Sequence, residues 1–146
     1  MSKVEQAVSW FKKGFSCGQA ILSTYATDFG LEREVALKAG TGFGGGMGRL
    51  GKTCGAVTSA IVVISLKYGS NKIEDQQAKN KTYRLVRRFI KRFKAVNGSI
   101  ICNELLDCDF TTSEGFKKAI DNNVFKTICP NFVRSSSEIL EQLLNC

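Results

Sequence analysis

The stretch GGGMGRLGKTCGAVTSAIVVISLKYG, residues 44–69, decides between two fold classes for this chain. Its first half fits the phosphate-binding pattern G-x-x-x-x-G-K-[ST] through Gly46, Gly51, Lys52 and Thr53, a pattern that works between a buried strand and a helix. Its second half is apolar and rich in β-branched residues, so it can form a strand or a buried helix. The residues on either side of this stretch indicate whether the chain forms an α/β nucleotide-binding domain or a helical domain.

The flanking sequence favours the helical domain. The segment VALKAG before the glycines is short and interrupted by a lysine, so it does not supply the buried strand that a phosphate loop needs. The length of the apolar run and the small residues before it predict a buried helix over residues 54–68, with Thr53 as its N-cap and Gly69 closing it. Nucleotide hydrolysis is therefore not expected.

The glycine-rich loop itself still needs an explanation, because six of the nine residues from 40 to 48 are glycine. So many glycines predict positive φ angles or a close approach of the backbone to another group. We expect a tight loop that packs on a neighbouring helix and covers a ligand. The candidate cofactor-binding residues are Gly44, Gly45, Gly46 and Gly48.

The rest of the chain also predicts helices. Ser16 and Gln19 form a capping-box pattern for a helix over residues 17–30, and Pro130 suits the first turn of a C-terminal helix. A long helix is predicted over residues 73–96, followed by a short one that Ser99 caps and another over residues 113–120. Shorter helices are expected at the N-terminus and over residues 32–38. These segments predict an all-α, single-domain bundle of about five to seven helices over residues 1–146.

The apolar residues of the long helix form one stripe, surrounded by arginines and lysines. The stripe consists of Leu85, Val86, Phe89, Ile90, Phe93 and Val96.

The composition excludes several kinds of catalytic and metal site. The chain has 146 residues, six cysteines, no histidine and a net charge of +8. The lack of histidine excludes Cys/His and Ser/His catalytic pairs and mixed Cys/His zinc sites. Neither an export signal nor an apolar run long enough to span a bilayer is evident, so a cytoplasmic protein is expected, where cysteines serve redox or metal chemistry more often than structural disulfides.

Four of the cysteines fall at predicted helix starts: Cys17, Cys54, Cys102 and Cys129. Amide donors and the helix dipole lower the pKa of a thiol at such a position, and the thiolate is both the nucleophile and the metal ligand. Lys13, Lys52 and Lys126 are expected to add to this effect. Cys108 and Cys146 lack this setting.

The chain resembles the C_GCAxxG_C_C family of redox-active proteins, which is named after its cysteine pattern. The resemblance rests on FSCGQA at residues 15–20, GFGGGMG at residues 42–48 and CGAVTSA at residues 54–60, and it continues through ICNELL and ICPNFV. It implies that Cys17, Cys54, Cys102 and Cys129 are the family's four cysteines. Ser59 stands where the family pattern has glycine.

Three kinds of function remain open at this point. In the first, Cys17 and Cys54 form a thiol/disulfide pair, with Cys102 and Cys129 as a second pair or relay, as in a thiol-disulfide oxidoreductase. In the second, the four thiolates bind one metal ion or an iron–sulfur cluster, although no C-x-x-C pair is present. The third is a non-catalytic interaction protein.

The expected partners follow from the same considerations. A redox partner protein or a transporter is implied by the family resemblance. The basic face of the long helix is expected to be a solvated surface, with contact to an anionic membrane as the alternative and nucleic acid not expected. The oligomeric state is not readable from the sequence.

Overall fold

The computed structural model describes residues 1–145, so Cys146 lies outside the described residues. These residues form an all-α fold in which the helices are joined by short loops, and the one β-type contact among them is an isolated antiparallel bridge between Thr53 and Ile101. The helices are α1 (Lys3–Lys12), α2 (Cys17–Tyr25), α3 (Arg33–Gly40), α4 (Gly55–Tyr68), α5 (Gln76–Asn97), α6 (Cys102–Leu106), α7 (Ser113–Asp121), α8 (Val124–Thr127) and α9 (Cys129–Leu144), with 3-10 turns at Ala26–Phe29 and Thr41–Phe43.

The predicted fold class is confirmed, and the helix ends that depend on local signals are where the sequence indicates. The Ser16 hydroxyl accepts from the Gln19 amide while the Gln19 side chain accepts from the Ser16 amide, which is the predicted capping box. Gly98 ends α5 in the left-handed conformation. The described chain holds more helical segments than the five to seven expected, and one of them, the four-residue α8, has no counterpart among the predicted helices.

Three predicted boundaries are wrong. The N-cap of α4 is Cys54 and not Thr53, because Thr53 pairs with Ile101 instead. Helix α5 begins at Gln76, where the Asp75 side chain accepts from the Ala78 amide, and not at residue 73. Ser99 accepts from the Ile101 amide in a turn before α6, whose N-cap is Ile101.

Helix α4 lies at the centre of the bundle, in contact with α2, α5 and α9. Its residues Val57, Ala60, Val63 and Ile64 are fully buried, which explains why this run lacks a polar face. A hydrogen bond from the buried Ser136 hydroxyl of α9 to the Ala56 carbonyl, 2.8 Å, joins the two helices.

Helix α5 packs its stripe on α4 and α9, with Leu85, Phe89 and Phe93 buried. Val96 is predicted to belong to this stripe, but it is 67% exposed. The described residues contain no helix that is long and apolar enough to cross a membrane.

Candidate functional site

The N-terminal ends of α2 and α4 meet at Gly55. A Cβ atom added there would lie 3.1 Å from the Gly18 nitrogen and 3.6 Å from the Cβ of Cys17. Since the first distance is shorter than an ordinary contact, a side chain at Gly55 would press on the start of α2. One at Gly18 would lie 3.0 Å from the Cβ of Phe43, so Gly18 allows the turn that contains Phe43 to approach α2. The glycine after Cys54 thus brings Cys54 next to Cys17.

The glycine loop holds the start of α6 beside the start of α4. Three backbone hydrogen bonds connect the two segments: Cys102 amide to Lys52 carbonyl (2.6 Å), Asn103 amide to Gly51 carbonyl (3.1 Å) and Cys54 amide to Ile100 carbonyl (2.7 Å). Together with the bridge between Thr53 and Ile101, they fix the start of α6 beside the start of α4.

The loop reaches this shape through left-handed backbone conformations. Gly45, Gly46, Gly48 and Gly51 all have positive φ, as expected for a glycine-rich turn. A Cβ at Gly46 would lie 2.7 Å from the Cβ of Cys102, so the loop backbone passes directly over that cysteine. The predicted packing of the loop on a neighbouring helix is confirmed, and the helix is α6.

The four cysteines at helix starts converge on one cavity of about 890 Å³. Cys54, Cys102 and Cys129 are buried and Cys17 is partly buried. The candidate glycines Gly44, Gly45, Gly46 and Gly48 also line the cavity, and their role in binding a cofactor stays a prediction. Each of the five described cysteines is a free thiol: Cys17, Cys54, Cys102, Cys108 and Cys129.

Cys54 is the thiol whose environment favours the thiolate. A hydrogen bond from the Cys17 thiol lowers the pKa of Cys54, and the backbone amides of Ala56 and Val57 in the first turn of α4 lower it further, against the opposing effect of burial. The pKa of Cys17 is raised well above its usual value by its interactions with the thiols of Cys129 and Cys54 and by burial. Within the pair, Cys54 is thus the thiol that gives up its proton more readily, and Cys17 holds its proton more strongly.

The expectation that all four helix-start thiols have a lowered pKa is therefore wrong for Cys17 and Cys102. Burial raises the pKa of Cys102 to about 12, and the neighbouring thiols of Cys54, Cys129 and Cys108 act in the same direction. At Cys17 the hydrogen bonds with neighbouring thiols, followed by burial, raise the pKa, whereas at Cys102 burial is the main cause.

The lysines near the cysteines in sequence do not all lie near them in space. The Lys13 ammonium lies over the Trp10 ring, 4.7 Å from its centroid. The charge of Lys52 acts on Asp109, whose pKa is lowered mainly by hydrogen bonds from Thr111 and to a smaller extent by Lys52. Only Lys126 of the three lines the cavity.

Sequence reasoning missed most of the cavity wall. Arg49, which has positive φ, places its guanidinium 4.8 Å from the centre of the Phe116 ring. Phe110 lies 5.3 Å from Phe125, ring centre to ring centre, and both rings contact Phe116. These aromatic residues come from separate short helices and loops, so no periodic pattern in the sequence marks them as one surface.

Residues 1–145 contain no group of three Cys, Asp or Glu side chains arranged to hold a metal ion. The four cysteines nevertheless line one cavity, and their role as ligands of a metal ion or an iron–sulfur cluster stays a prediction.

Ser59 occupies the position where the family pattern has glycine, in the second turn of α4. Its side chain is fully buried and donates a hydrogen bond of 2.6 Å to the Gly55 carbonyl of its own helix. The hydroxyl thereby stays within the helix and does not disturb the contact between α2 and α4.

The comparisons with known proteins agree with the cysteine pattern. No curated protein and no solved structure shows significant similarity to the chain. Residues 15–143 match the family described as "Putative redox-active protein (C_GCAxxG_C_C)", and this range includes all four converging cysteines and the glycine loop. The chain belongs to the C_GCAxxG_C_C family of redox-active proteins.

Proposed function

We propose that this protein carries out thiol/disulfide exchange, with Cys54 as the attacking thiolate and Cys17 as the resolving thiol. The observation that carries the proposal is the position of these two cysteines at adjoining helix starts on one cavity, where a Cβ added at Gly55 would lie 3.6 Å from the Cβ of Cys17. Their interaction lowers the pKa of Cys54 and raises that of Cys17. One member of the pair is thus prepared as a nucleophile, while the other holds the proton.

The exchange proceeds in two balanced steps. The Cys54 thiolate bonds to one sulfur of a disulfide substrate, the substrate's sulfur–sulfur bond breaks, and the other half leaves as a thiolate. Cys17 then gives its proton to a departing thiolate and attacks the Sγ atom of Cys54, which releases the second half of the substrate. The protein gains the Cys17–Cys54 disulfide, and the substrate is reduced by two electrons to one thiol, which carries the proton from Cys17, and one thiolate, which takes any further proton from water.

Cys129 and Cys102 form the second pair or relay in this proposal. The Cys129 thiol interacts with Cys17, and the Cys102 thiol lies within electrostatic reach of Cys54 and Cys129. A disulfide formed at Cys17 and Cys54 thus has further thiols beside it for exchange. A redox partner protein that supplies a dithiol would return the site to its reduced state.

Alkylation at controlled pH tests the proposal. The reduced protein, kept without oxygen, is treated with iodoacetamide, and the labelled sites are followed by mass spectrometry of tryptic peptides, which separate Cys17, Cys54 and Cys129. We expect Cys54 to react faster than Cys108 at neutral pH, because the surroundings of Cys54 lower its pKa. Equal rates at the two cysteines would remove the basis of the proposal.

Controlled oxidation supplies the second arm. A small disulfide in slight excess should produce a protein that has lost two thiols and carries a Cys17–Cys54 bond. Cys54→Ser should abolish that bond, whereas the matched control Cys108→Ser should leave it unchanged.

Anaerobic purification followed by metal analysis and a visible spectrum addresses the four-cysteine metal alternative, which predicts a stoichiometric metal. If the protein contains no metal and its thiol count does not change with its redox state, the result indicates a non-catalytic interaction protein.

A further inference from the structure

Most side chains of the cavity beside the thiols are apolar. Apart from the cysteines, glycines, three cations and a few neutral polar residues, its lining is aromatic and aliphatic. The aromatic residues are Phe11, Phe15, Phe43, Phe110, Phe116, Phe125 and Phe132. Since a volume of about 890 Å³ falls in the range typical of sites for small molecules, the cavity suits a compact ligand with a flat apolar body.

The charges at this cavity are of one sign. Lys12, Arg49 and Lys126 are exposed and line it, and no carboxylate belongs to its lining among the described residues. The three cations come from three separate segments, α1, the glycine loop and α8. Such a rim attracts anions and disfavours cations.

The polar side chains of the lining are already engaged within the protein. Both ends of the Gln19 side chain are used, because its carbonyl accepts from the Ser16 amide and its amino group donates to the Leu37 carbonyl and the Thr41 hydroxyl. The Thr41 hydroxyl in turn donates to the Leu37 carbonyl. Recognition therefore depends on apolar contact and on the three cations more than on neutral hydrogen bonding.

We propose that the substrate of the Cys54–Cys17 pair is a small disulfide with an aromatic or similarly flat apolar body and at least one anionic group. This inference rests on the proposed thiol/disulfide function and deepens it by naming the substrate class. The apolar body lies against the phenylalanines, the anion lies near Arg49, Lys126 and Lys12, and the sulfur–sulfur bond faces Cys54.

The test compares disulfides that differ in one property at a time. The probes are dithiobis(nitrobenzoate), aromatic and anionic; dithiodipyridine, aromatic and neutral; dithiodipropionate, aliphatic and anionic; and cystamine, aliphatic and cationic. Each rate constant is measured by stopped flow on the reduced full chain carrying Cys108→Ser and Cys146→Ser. It is divided by that of N-acetylcysteine with the same probe, which removes the intrinsic reactivity of each reagent.

We expect the normalised rate to be highest for the aromatic anion and lowest for cystamine. Adding salt should reduce the advantage of the aromatic anion over the aromatic neutral probe, because the cations at the rim are exposed. The variant Arg49→Asn with Lys126→Gln should slow the reaction with the aromatic anion on the order of tenfold. The loss of each exposed cation is expected to slow it by up to about threefold. Asparagine is chosen at position 49 because it tolerates positive φ.

A matched control removes the same charge elsewhere. Arg87→Gln with Lys91→Gln lowers the net charge by the same amount on the exposed face of α5 and should leave all four rates unchanged. Equal normalised rates for the four probes, or an equal loss in the control variant, would overturn the substrate assignment while leaving the exchange function in place. If no probe reacts faster with the protein than with N-acetylcysteine, the exchange function itself fails.

Discussion

A pair of alanine substitutions in the glycine loop separates backbone strain from steric contact. Gly46 and Gly48 both have left-handed backbones, with φ of 71° and 59°. A Cβ at Gly48 would meet nothing within 4 Å, whereas one at Gly46 would lie 2.6 Å from the Lys52 nitrogen and 2.7 Å from the Cys102 Cβ. The two positions thus share the conformational requirement and differ in their surroundings.

The expected losses of stability follow from this difference. A left-handed conformation costs a residue with a Cβ roughly 1–2 kcal/mol, which applies to both variants. Overpacking against backbone that cannot move without breaking the hydrogen bond between the Cys102 amide and the Lys52 carbonyl adds roughly 1–3 kcal/mol at Gly46 alone. We therefore expect Gly48→Ala to lose about 1–2 kcal/mol of unfolding free energy and Gly46→Ala about 2–5 kcal/mol.

Urea unfolding of the reduced protein, followed by circular dichroism, measures both values, and an unchanged m-value shows that the folded and unfolded states remain comparable. Alkylation of Cys102 provides a second readout, because only Gly46→Ala should displace that side chain and expose it. If both variants lose the same free energy and neither alters Cys102 labelling, the loop does not pass over α6 as described.

Three further predictions concern the thiols and the core. Cys17→Ala should move the pH dependence of Cys54 alkylation to higher pH, because it removes the hydrogen bond that is the largest influence lowering the pKa of Cys54; Cys108→Ala should leave the profile in place. Ser136→Ala should lower the unfolding free energy in urea by about 1 kcal/mol through loss of the buried hydrogen bond to the Ala56 carbonyl, while Ser135→Ala, on the more accessible face, should change it by less than about 0.5 kcal/mol. The reduced protein should lose stability as the pH rises from about 9 towards 12, because the unfolded Cys102 thiol ionises near the lower limit and the folded one, with its pKa raised to about 12, binds more protons throughout this window. Cys102→Ala should flatten that slope in urea titrations across the window, and an unchanged slope would contradict the assignment.

The local sequence determined where most helices lie, because helix ends depend on residues only a few positions apart. Ser16 and Gln19 are three residues apart and form their capping box as predicted, and Gly98 ends α5. The errors have causes of two kinds. Thr53 leaves its expected cap position because it pairs with the distant Ile101, whereas the starts of α5 and α6 depend on local hydrogen bonds to Asp75 and Ser99 that the sequence pattern did not single out. Val96 continues the apolar spacing of α5 and is nevertheless exposed.

The cysteine pattern and the glycine loop pointed to the region of the candidate site, but their relation in space required the folded chain. Gly18, Gly46 and Gly55 each allow a close approach between segments distant in sequence, and such approaches leave no periodic signal. The opposite pKa directions of Cys54 and Cys17 also come from the folded chain, since both residues begin helices and differ in which thiols and amides surround them. Residues close together along the chain thus determined most of the secondary structure. Residues close together in space determined the pKa values of the thiols and formed the aromatic cavity with its three cations. The reason is that Coulomb interaction, desolvation and packing depend on distance in the folded molecule and not on sequence separation.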